Sequence, residues 1–473
     1  MRQGHKASGR ARHDTVETLY AKALTLHKRG QSEQAAPLYR KILSKNASHD
    51  GALHLLGLCA LEGGDPEKAV GLIGRAIAVR PDYAEALFDH GRACLALGRI
   101  EEAARDFSRA TACSPQYAEP RHALGLLHLE TGNPEAALQC FYGTLAIVPD
   151  DPTLWLHTAW ALKSLERPED AIKACTRAVE FGPDTVPARL ELAELLIEAG
   201  RTDAAAEHLQ AVPQSAWQSF LCGRAALAGQ DIPAAERHFR RCLELDPEDA
   251  FGAVAQLALL GLEPAPERAP LAWVRRVYDG QARLWDQSAA GERGYAAPEL
   301  LAAALAEVPG ERSGLAVLDA GCGSGLCAPM LRPMATRLDG VDLSPAMLEL
   351  ARAKGLYDRL VCGDVAEFLG GGREEYDLIL GAAVFIYIGE LAPILAAAFA
   401  ALRPGGLLAL TLFPGTGQAY SLTPAAYYLH DIDAVIDRAG QAGFTLAARH
   451  LGVHEYRDDA PVTGCALVFG KPA

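Results

Sequence analysis

Residues 317–329 read VLDAGCGSGLCAP: an apolar run, one acid, then glycines at alternate positions 321, 323 and 325. Glycine populates positive φ freely, so such a loop lets main-chain N–H groups approach a ligand closely, and the next helix aims its N-terminus at the same place. Two further acids close the following apolar runs, Asp342 in RLDGVDL and Asp364 in DRLVCGD. A carboxylate at the first position can take both hydroxyls of a ribose in charge-assisted hydrogen bonds, and one at the second can accept from an adenine amine. Together with Asp319 inside the first run, these residues fit an adenosine.

They can meet only at one end of a sheet. The pattern predicts a helix from Pro298 to Glu307, a strand at GLAVLDA, a helix from about Leu326, a strand at RLDGVDL, a helix from Pro345 to Lys354 and a strand at DRLVCGD. A buried strand at YDLILGAA, a helix over 390–402, a strand at GGLLALTLF, a helix over 431–442 and strands near 444–450 and 462–469 follow. Alternation of this kind predicts a doubly wound, Rossmann-like α/β domain over 271–473, with its ligand beyond the carboxyl ends of the strands.

Dinucleotide-binding enzymes also place an acid after the second strand, but their fingerprint is GxGxxG. Here position 326 is Leu, and the form is DxGxGxG. This resembles the class I S-adenosylmethionine-dependent methyltransferases, whose successive blocks GVDLSPAMLELAR, CGDVAEFL, YDLIL and LRPGGLLAL also resemble, in order. VYDGQARLWD, GYAAPELL and VFIYIGEL are similar to a bacterial group of tetratricopeptide-fused methyltransferases, loosely like trans-aconitate methyltransferase. The resemblance implies a helical lid carrying Tyr278 and Trp285, and a cofactor site of Asp319, Gly321, Cys322, Gly323, Asp342, Leu343, Met347, Asp364, Val365 and Gly381. It implies S-adenosylmethionine as cofactor and no metal. The chain departs from the group at Ala383, where an Asp is expected, and at Tyr427, where an Arg of a Gly-Arg-Tyr-x-His element is expected.

The first half repeats itself. From Asp50 a 34-residue unit recurs, with Gly57, Gly91 and Gly125 at its eighth position, Ala69, Ala103 and Ala137 at its twentieth, and Pro81, Pro115 and Pro149 at its thirty-second. Small residues let two antiparallel helices approach, and a proline stops the second. Copies near Val16, Pro152, Val186 and Ala216 bring the count to seven, and the pattern resembles tetratricopeptide repeats. The predicted organisation is a flexible tail over 1–14, an α-solenoid over 15–263, a linker over 264–270 (PAPERAP) and the α/β domain. A solenoid offers a concave binding face, so recognition of a protein or peptide is expected there, along His54, Phe88 and His122. The Lys and Asn clamp of chaperone-binding tetratricopeptide domains is missing.

Composition narrows the class. The 473 residues carry a net charge of −14, shared evenly by the two halves, and only Arg2, Lys6, Arg10 and Arg12 are locally basic, so no nucleic-acid partner is expected. No apolar run approaches the roughly 20 residues that span a bilayer. The eleven cysteines form no CxxC pair, which points to reduced thiols and a cytoplasmic protein.

Methyl transfer is an in-line displacement that needs alignment in a dry site and no obligatory dyad. A carboxylate acceptor needs no base, whereas an amine or hydroxyl must lose a proton, for which His430 with Tyr428 or Tyr387 is the candidate. The expected function is therefore a methyltransferase whose repeats recruit a partner or substrate of unassigned identity. The alternative is a non-catalytic adaptor that keeps a cofactor-binding methyltransferase fold.

Overall fold

The computed structural model describes residues 15–287, 294–457 and 460–473. The expected tail over 1–14 lies outside them. By its contacts the chain divides into two compact units, Met1–Ala188 and Arg189–Ala473.

From Val16 to Leu245 the chain forms fourteen consecutive helices, and every second one starts at Val16, Asp50, Ala84, Ala118, Pro152, Val186 and Ala216. These starts coincide with the seven sequence copies. Several helices begin with proline after a capping acid or amide: the side chains of Asp65, Asn133 and Asp151 accept from the N–H groups of Lys68, Ala136 and Leu154. The repeat glycines have a steric reason. A Cβ on Gly91 would lie 2.6 Å from Phe107 Cε1, and one on Gly125 2.6 Å from Phe141 Cε1. In these two pairs, and at Gly223 against Phe239, the second helix seats its aromatic ring against bare backbone, and a side chain in place of the glycine would push the pair apart.

In the second unit a mixed sheet is built from β1 (Leu315–Ala320), β2 (Ala335–Asp342), β3 (Arg359–Cys362), β4 (Tyr376–Gly381), β5 (Leu402–Pro414), β6 (Tyr420–Leu422), β7 (Tyr428–His430), β8 (Thr445–Arg457) and β9 (Ala460–Gly470). β3, β2, β1, β4 and β5 run parallel in that order, and β9 pairs antiparallel with both β5 and β8. The order reverses between β1 and β4, which opens a crevice at their carboxyl ends. Successive residues face opposite sides: Leu318, Leu410 and Phe469 pack under the helices Ala392–Ala401 and Ile432–Gln441, while Val317, Ala409 and Val468 pack under the helix Ala297–Glu307.

Three local expectations are revised. The helix expected from Leu326 is a single turn, Ala328–Leu331. The small pair β6 and β7 has no counterpart in the expected elements: three-residue strands are too short for a period-2 signal, and β7 is held by pairing with Phe413 and Pro414 of β5. The stretch 264–270, expected as a linker, is a hydrogen-bonded strap. Tyr428 OH donates to Pro266 O at 2.7 Å, Gly389 and Glu390 N–H donate to Glu267 O at 2.8 and 2.9 Å, and Ala269 N–H donates to Tyr387 O at 2.8 Å.

Candidate functional site

A cavity opens at the carboxyl ends of β1, β2 and β4, where a small-ligand site of an open α/β sheet is expected. Its floor is the glycine loop. Gly321, Gly323 and Gly325 have φ of +72°, +52° and +87°, conformations that a Cβ would strain. Gly321 is also hemmed in, since a Cβ there would lie 2.7 Å from Val384 Cβ. Gly323 has nothing within 4 Å of that position, so it presents bare backbone to open space.

Asp342 ties this loop to the next strand. Its Oδ2 accepts from Gly323 N–H at 2.8 Å, and its Oδ1 accepts from Ser344 N–H at 2.8 Å. Burial pushes its pKa up, while these backbone donors oppose the rise. Each oxygen keeps a lone pair that can accept from a ligand hydroxyl.

The helix Leu271–Gln287 covers the cavity. Arg275 Nε donates to Leu343 O at 3.3 Å, and Asp279 Oδ1 accepts from Ser344 Oγ at 2.5 Å. On its inner side Tyr278 shares a hydrogen bond with Tyr387, O to O 3.0 Å, and packs edge-on against Trp285 with ring centroids 5.5 Å apart. Burial raises the pKa of both phenols, so both stay protonated. The same cause holds the Cys322 and Cys327 thiols neutral, which denies the cavity a competing thiolate.

Of the residues expected from sequence, Tyr278, Trp285, Gly321, Cys322, Gly323, Asp342, Leu343, Met347, Asp364 and Val365 line this one cavity. Four do not. Asp319 is buried beneath the loop, 1% exposed, and its Oδ2 accepts from Tyr357 OH at 2.6 Å, so it braces the strand end rather than facing the opening. Gly381 lies one residue short of the lining, where a side chain would collide with Phe385. Tyr428 and His430 sit on β7, 0% and 1% exposed, and Tyr428 spends its hydroxyl on the strap. Burial drives the His430 pKa down to about 4, and its Nε2 has no hydrogen-bond partner. A neutral imidazole enclosed in this way has no path to a substrate proton in the cavity.

Sequence reasoning missed Arg268, Tyr295, Cys327 and Val384 in the lining. Arg268 stands in PAPERAP, where three prolines signal only a break. Its Nη2 donates to Asp364 Oδ2 at 2.6 Å and its Nη1 to Oδ1 at 3.4 Å, while Glu367 N–H also donates to Oδ1 at 3.1 Å. Ala383, the departure noted in sequence, lines the cavity at φ +57° with its N–H given to Thr411 Oγ1 at 2.9 Å. This left-handed conformation suits Asp or Asn better than Ala.

Several imidazoles of the first unit are engaged with one another or with acids. His54 Nε2 lies 2.8 Å from Asp89 Oδ2, and His122 Nε2 lies 2.8 Å from His157 Nδ1. His90, Cys94 and Asp106 bring three potential metal ligands within 4.8 Å of one another. There His90 Nδ1 and Asp106 Oδ2 already share a hydrogen bond of 2.6 Å. Among the described residues no helix is long and apolar enough to cross a membrane.

Comparison with known proteins places each half. Residues 2–225 match a tetratricopeptide-type family, the Cilia and flagella-associated protein 70 C-terminal domain, and residues 317–406 match a methyltransferase domain family. Methyltransferase-like protein 27 of Homo sapiens is 36% identical over 171 residues, 35% of this chain and 65% of the relative. Malonyl-[acyl-carrier protein] O-methyltransferase of Priestia megaterium is 36% identical over 113 residues, 23% and 40% of the two chains. Ubiquinone biosynthesis O-methyltransferase of Brucella ovis is 34% identical over 118 residues, 24% and 47% of the two chains. The chain thus spans about two fifths to two thirds of the length of these relatives. Among solved structures, a tetratricopeptide repeat protein from Parabacteroides merdae aligns at TM-score 0.37 and 18% identity, covering 49% of this chain and 93% of its own. With its sequence matches on either side and its sheet and helix pairs as described, the chain joins a tetratricopeptide-type N-terminal region to a C-terminal methyltransferase domain of Rossmann-like fold.

Proposed function

We propose that this protein is an S-adenosylmethionine-dependent O-methyltransferase whose repeats hold a protein or peptide that is, or carries, the acceptor. The observation that carries the reading is Asp342: a carboxylate pinned by two backbone N–H groups, beside a bare Gly323, in a cavity roofed by aromatic rings. All eleven cysteines are free thiols, which supports a reducing, cytoplasmic setting.

The residues present fit the cofactor. Asp342 would take the ribose hydroxyls, Gly323 would let the chain approach, and Leu343, Met347 and Val365 supply apolar contacts for a flat base. An adenine amine at Asp364 must share that carboxylate with Arg268. When bound, S-adenosylmethionine supplies an electrophilic methyl group. Tyr278, Trp285 and Tyr387 exclude water, and the phenolic proton that the Tyr278–Tyr387 hydrogen bond leaves free orients an acceptor oxygen without removing a proton from it. His430 is too enclosed to act as base, and the acids of the lining are engaged by backbone donors or by Arg268. The acceptor that suits this wall is therefore an oxygen already anionic, such as a carboxylate, which needs no base, with Arg268 as its nearest cation. O-methyl transfer is also what two of the relatives are named for.

Calorimetry with S-adenosylhomocysteine and with NAD tests the cofactor, and transfer of a labelled methyl group to carboxylate-bearing proteins tests the reaction. Binding of NAD alone would defeat the first part, and a base-labile product is expected for the second. The Arg268–Asp364 pair favours one other reading, an adaptor that binds no cofactor; failure of both ligands to bind would select it.

A further inference from the structure

The helix Leu271–Gln287 has a second face. Leu271, Val274 and Tyr278 line the cavity, whereas Trp273 and Arg276, nearly opposite on the helical wheel, line a separate open groove. Its floor is aromatic. Trp217 stacks on Phe220 (centroids 5.7 Å, planes 14° apart) and on Phe251 (5.1 Å, 27°), and the Arg276 guanidinium carbon lies 4.3 Å from the Phe251 centroid and 4.7 Å from that of Trp217.

Charge in the groove is one-sided. Its lining holds Arg224 and Arg276 and no acid. Arg224 is neutralised by Glu194 at 3.3 Å and Glu198 at 3.8 Å, outside the lining. Arg276 has no carboxylate within ion-pair distance among the described residues; its flat faces meet rings and its edge N–H groups remain for a ligand. A planar fork of donors above an apolar floor suits a carboxylate carried next to apolar side chains.

The groove is mechanically joined to the cavity. Trp273 packs edge-on against Tyr387, centroids 6.0 Å apart, and against the backbone of Gly252, where a Cβ would lie 3.1 Å from its Cδ1. Tyr387 is the residue that holds Tyr278 over the cavity. Whatever seats on Trp273 and Arg276 therefore braces the covering helix from outside.

We infer that this groove docks an acidic, apolar-flanked peptide segment of a partner protein through Arg276, and that docking holds the helix Leu271–Gln287 closed over the cavity. The inference rests on the recruitment part of the proposed function and not on cofactor use. The test uses the full chain and a fluorescein-labelled octapeptide of alternating Asp and Leu, with an Asn and Leu octapeptide as control. Anisotropy should show the acidic peptide binding about tenfold or more tightly than the control, with Arg276→Gln losing that difference and Arg276→Lys keeping part of it. Hydrogen exchange of the 271–287 amides should slow when the acidic peptide is bound. Equal binding of the two peptides, or indifference to Arg276→Gln, overturns the docking site. Acid-dependent binding with unchanged exchange overturns the bracing. A self-association that Arg276→Gln abolishes, without peptide binding, replaces the partner by a second copy and also overturns the inference. None of these readouts needs S-adenosylhomocysteine to bind, so failure of the cofactor reading is seen separately.

Discussion

Arg268 and Asp364 share an ion pair with Nη2 2.6 Å from Oδ2, across 96 residues of sequence. Asp364 is only 8% exposed, so its carboxylate depends on that partner, while the guanidinium keeps partial access to water. Arg268→Ala should lower stability by about 1–3 kcal/mol, the usual cost of leaving a buried polar group unpaired. Arg268→Ala in an Asp364→Asn background should cost less than half as much. A double-mutant cycle by urea unfolding measures the difference; additive losses would mean that the pair contributes nothing.

Asp342→Ala removes two acceptors from the loop and the carboxylate from the cavity. The expected loss in S-adenosylhomocysteine affinity is roughly 1.5–3 kcal/mol, about ten- to a hundredfold in Kd by calorimetry. Asp319→Asn, which keeps an acceptor for Tyr357, should change that affinity less than threefold.

Asp319 should make stability depend on pH. Burial raises its pKa from 3.8 to about 7, so between those values the native state holds a proton that the unfolded chain has released. Its contribution is therefore present below about pH 4 and is lost as pH rises to about 7. Relative to wild type, Asp319→Asn should gain Tm steadily from pH 4 to pH 7 and hold the gain above it. A constant difference across that range would contradict the assignment.

His430 behaves in the opposite sense. Its pKa falls from 6.5 to about 4, so the unfolded chain binds a proton that the native state refuses, and stability declines as pH drops through that window. His430→Ala should lower Tm while leaving S-adenosylhomocysteine affinity within about twofold and activity per folded molecule near wild type, as for a large-to-small core change. Loss of turnover with unchanged Tm would restore it as a base.

The place to divide the chain follows the strap and the groove rather than the prolines. Residues 189–473 include Pro266–Ala269 and the Trp217–Phe251 floor beneath Arg276, and should fold and bind S-adenosylhomocysteine when expressed alone. Residues 271–473 lose both supports, and Trp273 then faces solvent. Circular dichroism melts should place the shorter chain well below the longer one; equal Tm and equal affinity would mean that the strap is dispensable.

The repeat starts were legible because a solenoid is local: each helix meets its neighbours within one period, so Gly91 and Phe107 declare their contact within one 34-residue unit. The strands and the glycine loop were legible for a similar reason, since a buried parallel strand must be apolar on both faces and a loop at positive φ calls for glycine. The ten lining residues from 278 to 365 were named by the family resemblance of those blocks, with Gly321, Gly323, Asp342 and Asp364 also legible from residue type and spacing. Periodicity failed for β6 and β7, which are too short to carry it.

By itself, then, the sequence determined the helical repeats of the N-terminal region, the α/β character of the C-terminal one and the acids at the strand ends, all encoded in spacing along the chain, while the division into compact units falls at 188/189 and not at the expected 264–270. Only the tertiary structure decided which of those residues face the opening. Asp319 and Asp342 are both acids at strand ends, but one turns inward to Tyr357 and the other outward to Gly323. His430, fit by type to be a base, is enclosed by β7, and Arg268, in a stretch read as a break, reaches the site. Side-chain direction and long-range pairing depend on where distant segments come to lie, and composition and periodicity carry no record of that.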